Sequence, residues 1–426
     1  MVATLVLAFA ALLLLNVPVS FALGLASVAA LLVADLPLVL VAQRLVTATD
    51  SFILLAVPLF LLAGNLMAKA GLAGDLVAFG DALLGRFRGG LAHANIAAST
   101  MMGGITGSAV ADASSVGAAL IPPMMRQGYS GAYAAAVTAA SSTISVVIPP
   151  SVPMIIYAVV TGVSVTDLFL AGIVPGLMMA LALMLVAWAL AVRDGMPPGA
   201  SVGLAGVAAA VRRSAVALVM PFVIVGSIRY GIATPTEAAV VAVLYALLAG
   251  MFWYRTIRLR DLPGLVLESG VTTGVVMLMI ATASLYGLVL TRGQVNAAAV
   301  EAIVSVTRDP TLVLLLILVV YLIAGCFLDL GANIIILVPV LFPVTQALGV
   351  DPVAFGLVTV VSLAIGLVTP PVGACLFIAC GIARVPLSAA SRAALPFVAA
   401  LSLVVVLLIF FPGLATWLPA VAKGGS

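Results

Sequence analysis

Apolar runs of membrane-crossing length recur from one end of the chain to the other, separated by short polar or turn-forming interruptions. A spanning helix needs roughly 20 mostly apolar residues. Runs of that kind lie near residues 3–21, 23–43, 51–69, 132–165, 168–192, 214–232, 234–252, 264–291, 353–383 and 394–418, which predicts ten spans. Two further stretches, 91–125 and 310–344, are long enough for two half-helices each and carry Gly, Pro, Ser, Asp or Asn near their middles. That pattern predicts re-entrant hairpins in place of straight spans. Between the third span and the first hairpin, Leu72, Leu76, Phe79, Leu83 and Phe87 recur at helical spacing, with Asp75, Asp81, Arg86 and Arg88 largely off the stripe. An amphipathic helix lying at the interface follows. A weaker counterpart, Val295, Ala299, Ile303 and Val306, precedes the second hairpin.

Of 426 residues, 65% are hydrophobic and 7% charged, a balance that leaves no segment for a soluble domain. The chain is read as one all-α polytopic domain whose solvent is the lipid bilayer. Its first 24 residues could pass for the apolar core of a signal peptide, but no Lys or Arg precedes Arg44, so they are read as a first span. Net charge is only +3 without a long basic run, and no nucleic-acid partner is expected. Cys326, Cys375 and Cys380 lie in apolar segments without metal-ligand spacing, and the one histidine, His93, has no clustered companions. These four are read as structural. No cofactor is expected beyond coupling ions, and no nucleophile and base pair suggests an enzyme.

At an offset of 221 residues Gly104 falls on Gly325, Pro122 on Pro343, Gly128 on Gly349, and Pro149-Pro150 on Pro370-Pro371, while Asp112 falls on Asn333. Such self-similarity predicts an internal repeat. Five full spans in the first half force the second to enter from the opposite face, so the repeats are inverted. Placing Arg86, Arg88, Arg126, Arg193, Arg212, Arg213, Arg255, Arg258, Arg260, Arg384 and Arg392 in the cytoplasm satisfies the positive-inside rule. The first repeat is then 1–192, with its interfacial arm at 70–90, hairpin at 91–125 and broken helix at 132–165. A cytoplasmic connector, 193–213, leads to the second repeat, 214–418, with arm 292–309, hairpin 310–344 and broken helix 353–383. Residues 419–426 form a tail.

The stretch GGITGSAVADASSVGAALIPPM, Gly103 to Met124, places Asp112 among serines in an otherwise apolar segment. A carboxylate near the bilayer centre costs roughly 2.5 to 3.5 kcal/mol on insertion scales, so Asp112 is expected to face protein, water or an ion. Bonding to hairpin backbone amides is the competing, purely structural reading. Further on, Pro149 and Pro150 lie inside a span, where each lacks a donor and clashes with the preceding turn. The helix must break there and free carbonyl oxygens, which suit a hard monovalent cation, while half-helix N-termini attract a carboxylate. GLVTPPVG, Gly366 to Gly373, repeats the device with Thr369 adding a hydroxyl. Other polar positions read as structure: Thr234, Pro235 and Glu237 form an N-cap, first-turn proline and capping-box glutamate, and Asp309-Pro310 and Asp351-Pro352 are helix starts.

GSAVADASSVGAALIPPM, GYSGAYAAAVTAASSTISVVIPPS, LFLAGIVPG, GIATPTEAA, AGCFLDLGANIIILVPVLFPV, GVDPVAFG and AIGLVTPPVG occur in that order over nearly the whole chain. Together they resemble the large membrane subunit of TRAP (tripartite ATP-independent periplasmic) transporters, the DctM-like permeases. The resemblance implies an ion-transporter architecture of two inverted repeats and an elevator mechanism, with sodium-coupled import of a small organic anion across the bacterial inner membrane. It implies two partners, a small four-helix membrane subunit and a periplasmic solute-binding protein. Since no fused subunit precedes Met1, the small one is expected to be a separate chain. Carried over residue by residue, the ion and substrate sites would involve Gly107, Ser108, Asp112, Ser145 and Pro149, Pro150, Ser151 in the first half. In the second they would involve Gly331, Asn333, Ser362, Gly366, Thr369, Pro370, Pro371 and Gly373. Three positions depart from the family pattern: Thr106 stands where Ser is commoner, Ser145 where Gly is usual and Ser362 where Asn is usual. The alternative is a stand-alone anion or dicarboxylate exchanger, or symporter, of the same broad architecture.

Overall fold

In a computed structural model, which describes residues 1–196 and 203–424, the chain is helical throughout, with no strand among the described residues. Three short helices come first, α1 (Val2–Leu14), α2 (Val19–Val33) and α3 (Val39–Thr49), followed by α4 (Ala56–Ala70) and α5 (Leu72–Leu84). Then come α6 (Gly90–Thr106), α7 (Ala109–Arg126), α8 (Gly131–Ser142), α9 (Val152–Thr161) and α10 (Val165–Arg193). The remainder holds α11 (Leu204–Arg229), α12 (Pro235–Leu248), α13 (Leu262–Arg292), α14 (Val295–Val306) and α15 (Pro310–Gly325). Last are α16 (Leu330–Ala347), α17 (Pro352–Gly366), α18 (Ala374–Ala383), α19 (Leu387–Phe410) and α20 (Gly413–Ala422). Seven helices among the described residues are long and apolar enough to cross a membrane.

The two spans predicted at 3–21 and 23–43 are instead three helices. Asn16 and Asp35 adopt left-handed φ angles of 61° and 50°, each two residues before a proline. Short polar side chains tolerate that conformation, and the proline bars its predecessor from the α region, so each run is cut. Pro412 likewise divides the predicted span 394–418 into α19 and α20, and α20 occupies the first half of the predicted tail, whose residues 425–426 lie outside the described ones. Part of the predicted connector, residues 197–202, also lies outside them, and its far end is already helix from Leu204. The capping chemistry read from sequence is present: Thr234 and Glu237 form a capping box, and Asp309 and Asp351 cap α15 and α17.

Helices α7 and α16 begin and end 221 residues apart, α8 and α17 begin 221 apart, and α9 and α18 are displaced by one residue from that offset. Their caps correspond too, Ser108 with Asp329 and Ser130 with Asp351, each accepting a backbone N–H with its side chain.

Helix α8 from Tyr133 to Ser142, and α17 from Ala354 to Gly366, are buried on every side. A helix apolar all round belongs in such a core. Glycines let the backbones meet: a Cβ on Gly103 would lie 2.7 Å from Cα of Ser145, and one on Gly80 2.9 Å from the Ala94 carbonyl. Leu14, Phe222, Leu267 and Phe377 point outward from the periphery, where lipid would cover them. The predicted stripe splits, with Leu72 and Leu76 of α5 buried, and Leu83 and, beyond the helix end, Phe87 exposed.

Candidate functional site

The turn joining α6 to α7 is made by Gly107, with φ +60°, and Ser108, which caps α7. A Cβ at Gly107 would run into the Pro150 carbonyl, so this tip lies directly on the break between α8 and α9. Helix α8 ends at Ser142, a 3-10 turn covers Thr143–Val146, and the chain unwinds through Pro149 and Pro150 until Ser151 caps α9. Gly107, Ser108, Pro149, Pro150 and Ser151 therefore meet. Ser151 is fully buried and its hydroxyl donates to the Val146 carbonyl freed by the break.

Asp112 sits one turn into α7, with no solvent exposure and no hydrogen-bond partner on either carboxylate oxygen. Ser99 of α6 and Ser145 of the 3-10 turn are the hydroxyls beside it. Both serines also bond across to other elements. Ser99 and Ser141 share a hydrogen bond at 3.0 Å, Ser141 reaches Asn95 Oδ1 at 2.9 Å, and Ser145 donates to the Ser99 carbonyl at 3.2 Å. Asn95 in turn donates to Thr138 at 2.7 Å. A hydroxyl offers one proton and two lone pairs. The carboxylate and the two serine oxygens thus form a buried cluster of three oxygen-bearing groups.

Asn333 holds the corresponding place one turn into α16, also buried. Its amide nitrogen donates to Leu328 and Ala324 carbonyls at 2.9 and 3.3 Å, while Oδ1 has no partner. Between α17 and α18 the chain unwinds through Thr369, Pro370 and Pro371 to Gly373, whose φ is +46°. Thr369 Oγ1 accepts from Cys326 Sγ at 3.3 Å, and Val372 N–H donates to the Cys326 carbonyl at 3.2 Å, which ties this break to the α15–α16 turn. Gly366 packs on Gly325 backbone to backbone. Asn333 and Thr369 approach the same turn from two sides and are not hydrogen-bonded to each other. Ser362 is buried and donates to the Val358 carbonyl of its own helix. Unlike the first break, this one is open, with Pro370, Pro371 and Val372 exposed.

The starts of α7, α9 and α16 converge on a cavity of about 140 Å³ lined by Gly107, Ser108, Val152, Asp329 and Gly331, and closed by Leu61 of α4 and Met279 of α13. At about 30 Å³ per water this holds four or five waters, or one carboxylate group. Helix N-termini bear partial positive charge, which at α16 is already met by the Asp329 carboxylate, so the starts of α7 and α9 are the two that offer their charge to an anion.

The family model for the DctM component of the tripartite ATP-independent periplasmic transporter matches residues 6–414. The chain belongs to this family. It is a transporter permease component and not an enzyme, and it is a multi-pass membrane protein. The large permease protein DctM of a C4-dicarboxylate TRAP transporter of Pseudomonas aeruginosa is 38% identical over 378 residues, covering 89% of this chain and 88% of that one. YgiK of Salmonella typhimurium is 40% identical over 415 residues, covering 96% and 95%. The fold is similar to that of the Alcanivorax borkumensis YdaH transporter, with TM-score 0.61 at 15% identity over 88% of this chain and 89% of that one.

In this DctM component, sequence reading missed Ser99, Asp329 and the cavity wall from α4 and α13. The signal for Ser99 was present: Asn95 and Ser99 are one helical turn apart and face Thr138 and Ser141, which share that kind of spacing. His93 is buried, with its ring 6.1 Å from Phe87. Cys375 and Cys380 are buried free thiols.

Proposed function

We propose that this chain is the sodium-coupled large permease subunit of a TRAP transporter, importing a small organic anion delivered by a periplasmic solute-binding protein across the bacterial inner membrane. A small four-helix subunit completes the membrane part. The observation that carries the reading is Asp112: a carboxylate withdrawn from solvent, with no charged partner and no close hydrogen bond, beside two serine hydroxyls. An uncompensated buried charge costs several kcal/mol, and a buried carboxylate with hydroxyl oxygens around it suits a hard cation. Freed carbonyls at the adjacent break add ligands of the same kind. Asn333 supports a second, weaker site with Thr369 near it. The anion's carboxylate is placed at the starts of α7 and α9, between the two ion sites.

The matched element bounds at 221 residues support two inverted repeats, in which α6–α7 and α15–α16 are the re-entrant hairpins and α8–α9 and α17–α18 the broken helices. In that arrangement these elements form the moving body of an elevator. The cavity lies where it meets α4 and α13 of the frame. Two sodium ions entering with a monovalent anion carry one net charge, which gains about 2.3 kcal/mol per 100 mV and supports roughly 50-fold accumulation. Proteoliposomes holding the complex and its loaded binding protein are expected to accumulate substrate under an inward sodium gradient. Accumulation in sodium-free buffer under a proton gradient alone would overturn the coupling.

A further inference from the structure

A second, larger cavity of about 580 Å³ lies between α3, α9, α13 and α16. It stands on the same helices as the cavity at the helix starts. Ile156 lines the smaller and Val159 the larger on α9, Met279 and Ala283 do so on α13, and Gly331 and Ile335 on α16. Three or four residues of helix are one turn, so the two cavities are stacked about 5 Å apart along all three helices. With the topology proposed above, on which this inference rests, the larger cavity is the periplasmic one.

Its polar lining is Arg44, Thr47, Ser51, Ser284 and Thr291, without an acidic residue. Thr47 and Thr291 donate to Gln43 and Gly287 carbonyls at 2.8 Å, which leaves them as acceptors. Arg44 is therefore the strongest donor in the cavity, with a permanent charge and a planar fork of N–H groups. It takes part in no ion pair among the described residues. Helix α3 presents Arg44 and Thr47 to the cavity while Val39 and Val46 lie exposed on the same helix. Arg44 is exposed, so water solvates its guanidinium, and with no carboxylate beside it the group is free to take an anion from outside the chain. We infer that the larger cavity is an anion vestibule in which Arg44 captures the carboxylate of the incoming substrate one helical turn above the helix starts that receive it. Arg44 is then a positioning residue on the entry path, separate from the ion sites.

The test uses the full chain in proteoliposomes, with Cys326, Cys375 and Cys380 replaced by alanine and Ser284→Cys as reporter. Rates of modification by an anionic sulfonate methanethiosulfonate and a cationic trimethylammonium one are measured, and their ratio is taken. Any influence of Arg44 on thiolate formation acts on both reagents alike and cancels in the ratio. At a separation of roughly 6 Å in water one charge changes the local concentration of a monovalent ion about threefold, so Arg44→Gln should lower the anion-to-cation ratio about tenfold. Arg44→Lys should retain most of it, and Asp112→Asn should leave it unchanged. A ratio unaffected by Arg44→Gln at both Ser284→Cys and Thr291→Cys would overturn the vestibule. Loss of the ratio while Asp112→Asn keeps its sodium affinity would leave the vestibule standing and refute the first ion site.

Discussion

Replacing Asp112 by asparagine removes one charge from a site where no ion pair among the described residues compensates it. The change is nearly isosteric, and Asn333 shows that an amide can occupy the equivalent place on α16. A unit charge about 4 Å from a monovalent cation is worth about 4 kcal/mol at an effective dielectric of 20. The variant also escapes the cost of burying the carboxylate, so a net loss of about 1.5 to 3 kcal/mol is a better figure, in the range for bonds to charged groups. Half-saturating sodium for uptake should therefore rise by about 10- to 150-fold. Stability should move the other way. Without sodium the wild-type chain keeps an unpaired buried carboxylate, and the variant should melt at a higher temperature. Sodium at 100 times its dissociation constant should stabilise the wild type by about 2.7 kcal/mol, and the variant far less. Sodium titrations of uptake at clamped voltage, with melting curves of purified protein in sodium and in choline, measure both effects. Asn333→Ala is the contrast. It strips donors from the Ala324 and Leu328 carbonyls, lowers stability by about 1 to 3 kcal/mol without sodium, and flattens the sodium dependence without shifting the first site. If Asp112→Asn changes neither the half-saturating sodium nor the sodium-induced melting shift, Asp112 is structural and the ion sites must be built from carbonyls and hydroxyls alone.

Two further outcomes follow from packing and charge. Gly366→Ala would drive a Cβ into the Gly325 backbone, where neither helix has a side chain to move aside. Overpacking of that kind costs about 1 to 3 kcal/mol, so a lower melting temperature and reduced uptake are expected, and wild-type values in both would refute the close approach. In α5, outside the spans, burial pushes the Asp81 carboxyl above the usual carboxylate range. A raised folded pKa adds stability at low pH that is lost as pH rises through it, so neutral pH carries the penalty. Asp81→Asn should raise the melting temperature at pH 7.5 and lose that advantage towards pH 4; equal curves at both pH values would remove the effect.

The parts of this fold legible in sequence are those where the chain is interrupted. Gly107 with Ser108, Pro149-Pro150 and Pro370-Pro371 announce breaks through backbone chemistry, and α7, α9 and α18 begin just past them, whereas Pro122-Pro123 lies inside α7 without ending it. Surface and core are far harder to separate, because a lipid-facing position and a buried one are both apolar. Leu14 and Leu23 look alike in sequence, yet one is exposed and the other fully buried. Short cuts inside an apolar run are also quiet: Asn16 and Asp35, each two residues before proline, divide what hydropathy alone joins into spans.

Pairings across the chain are the remaining gap, and they carry the chemistry. Nothing near Asp112 in sequence indicates that Ser99 and Ser145 stand beside it, since they come from α6 and from the turn after α8 and are braced to each other and to α8. A serine-rich helix in lipid usually satisfies its hydroxyls on its own carbonyls, as Thr100 and Ser115 do here. Ser99 and Ser145 bond to other elements instead. In the reading proposed above, that cross-bracing holds their oxygens beside the buried carboxylate, where a cation would draw on all three. The same reasoning separates the two halves. Asn333 commits its donors to α15 carbonyls and leaves one oxygen free, so its site offers a dipole where the first offers a charge. Two ion sites built on matched helix starts should therefore differ in affinity, with the first filling before the second.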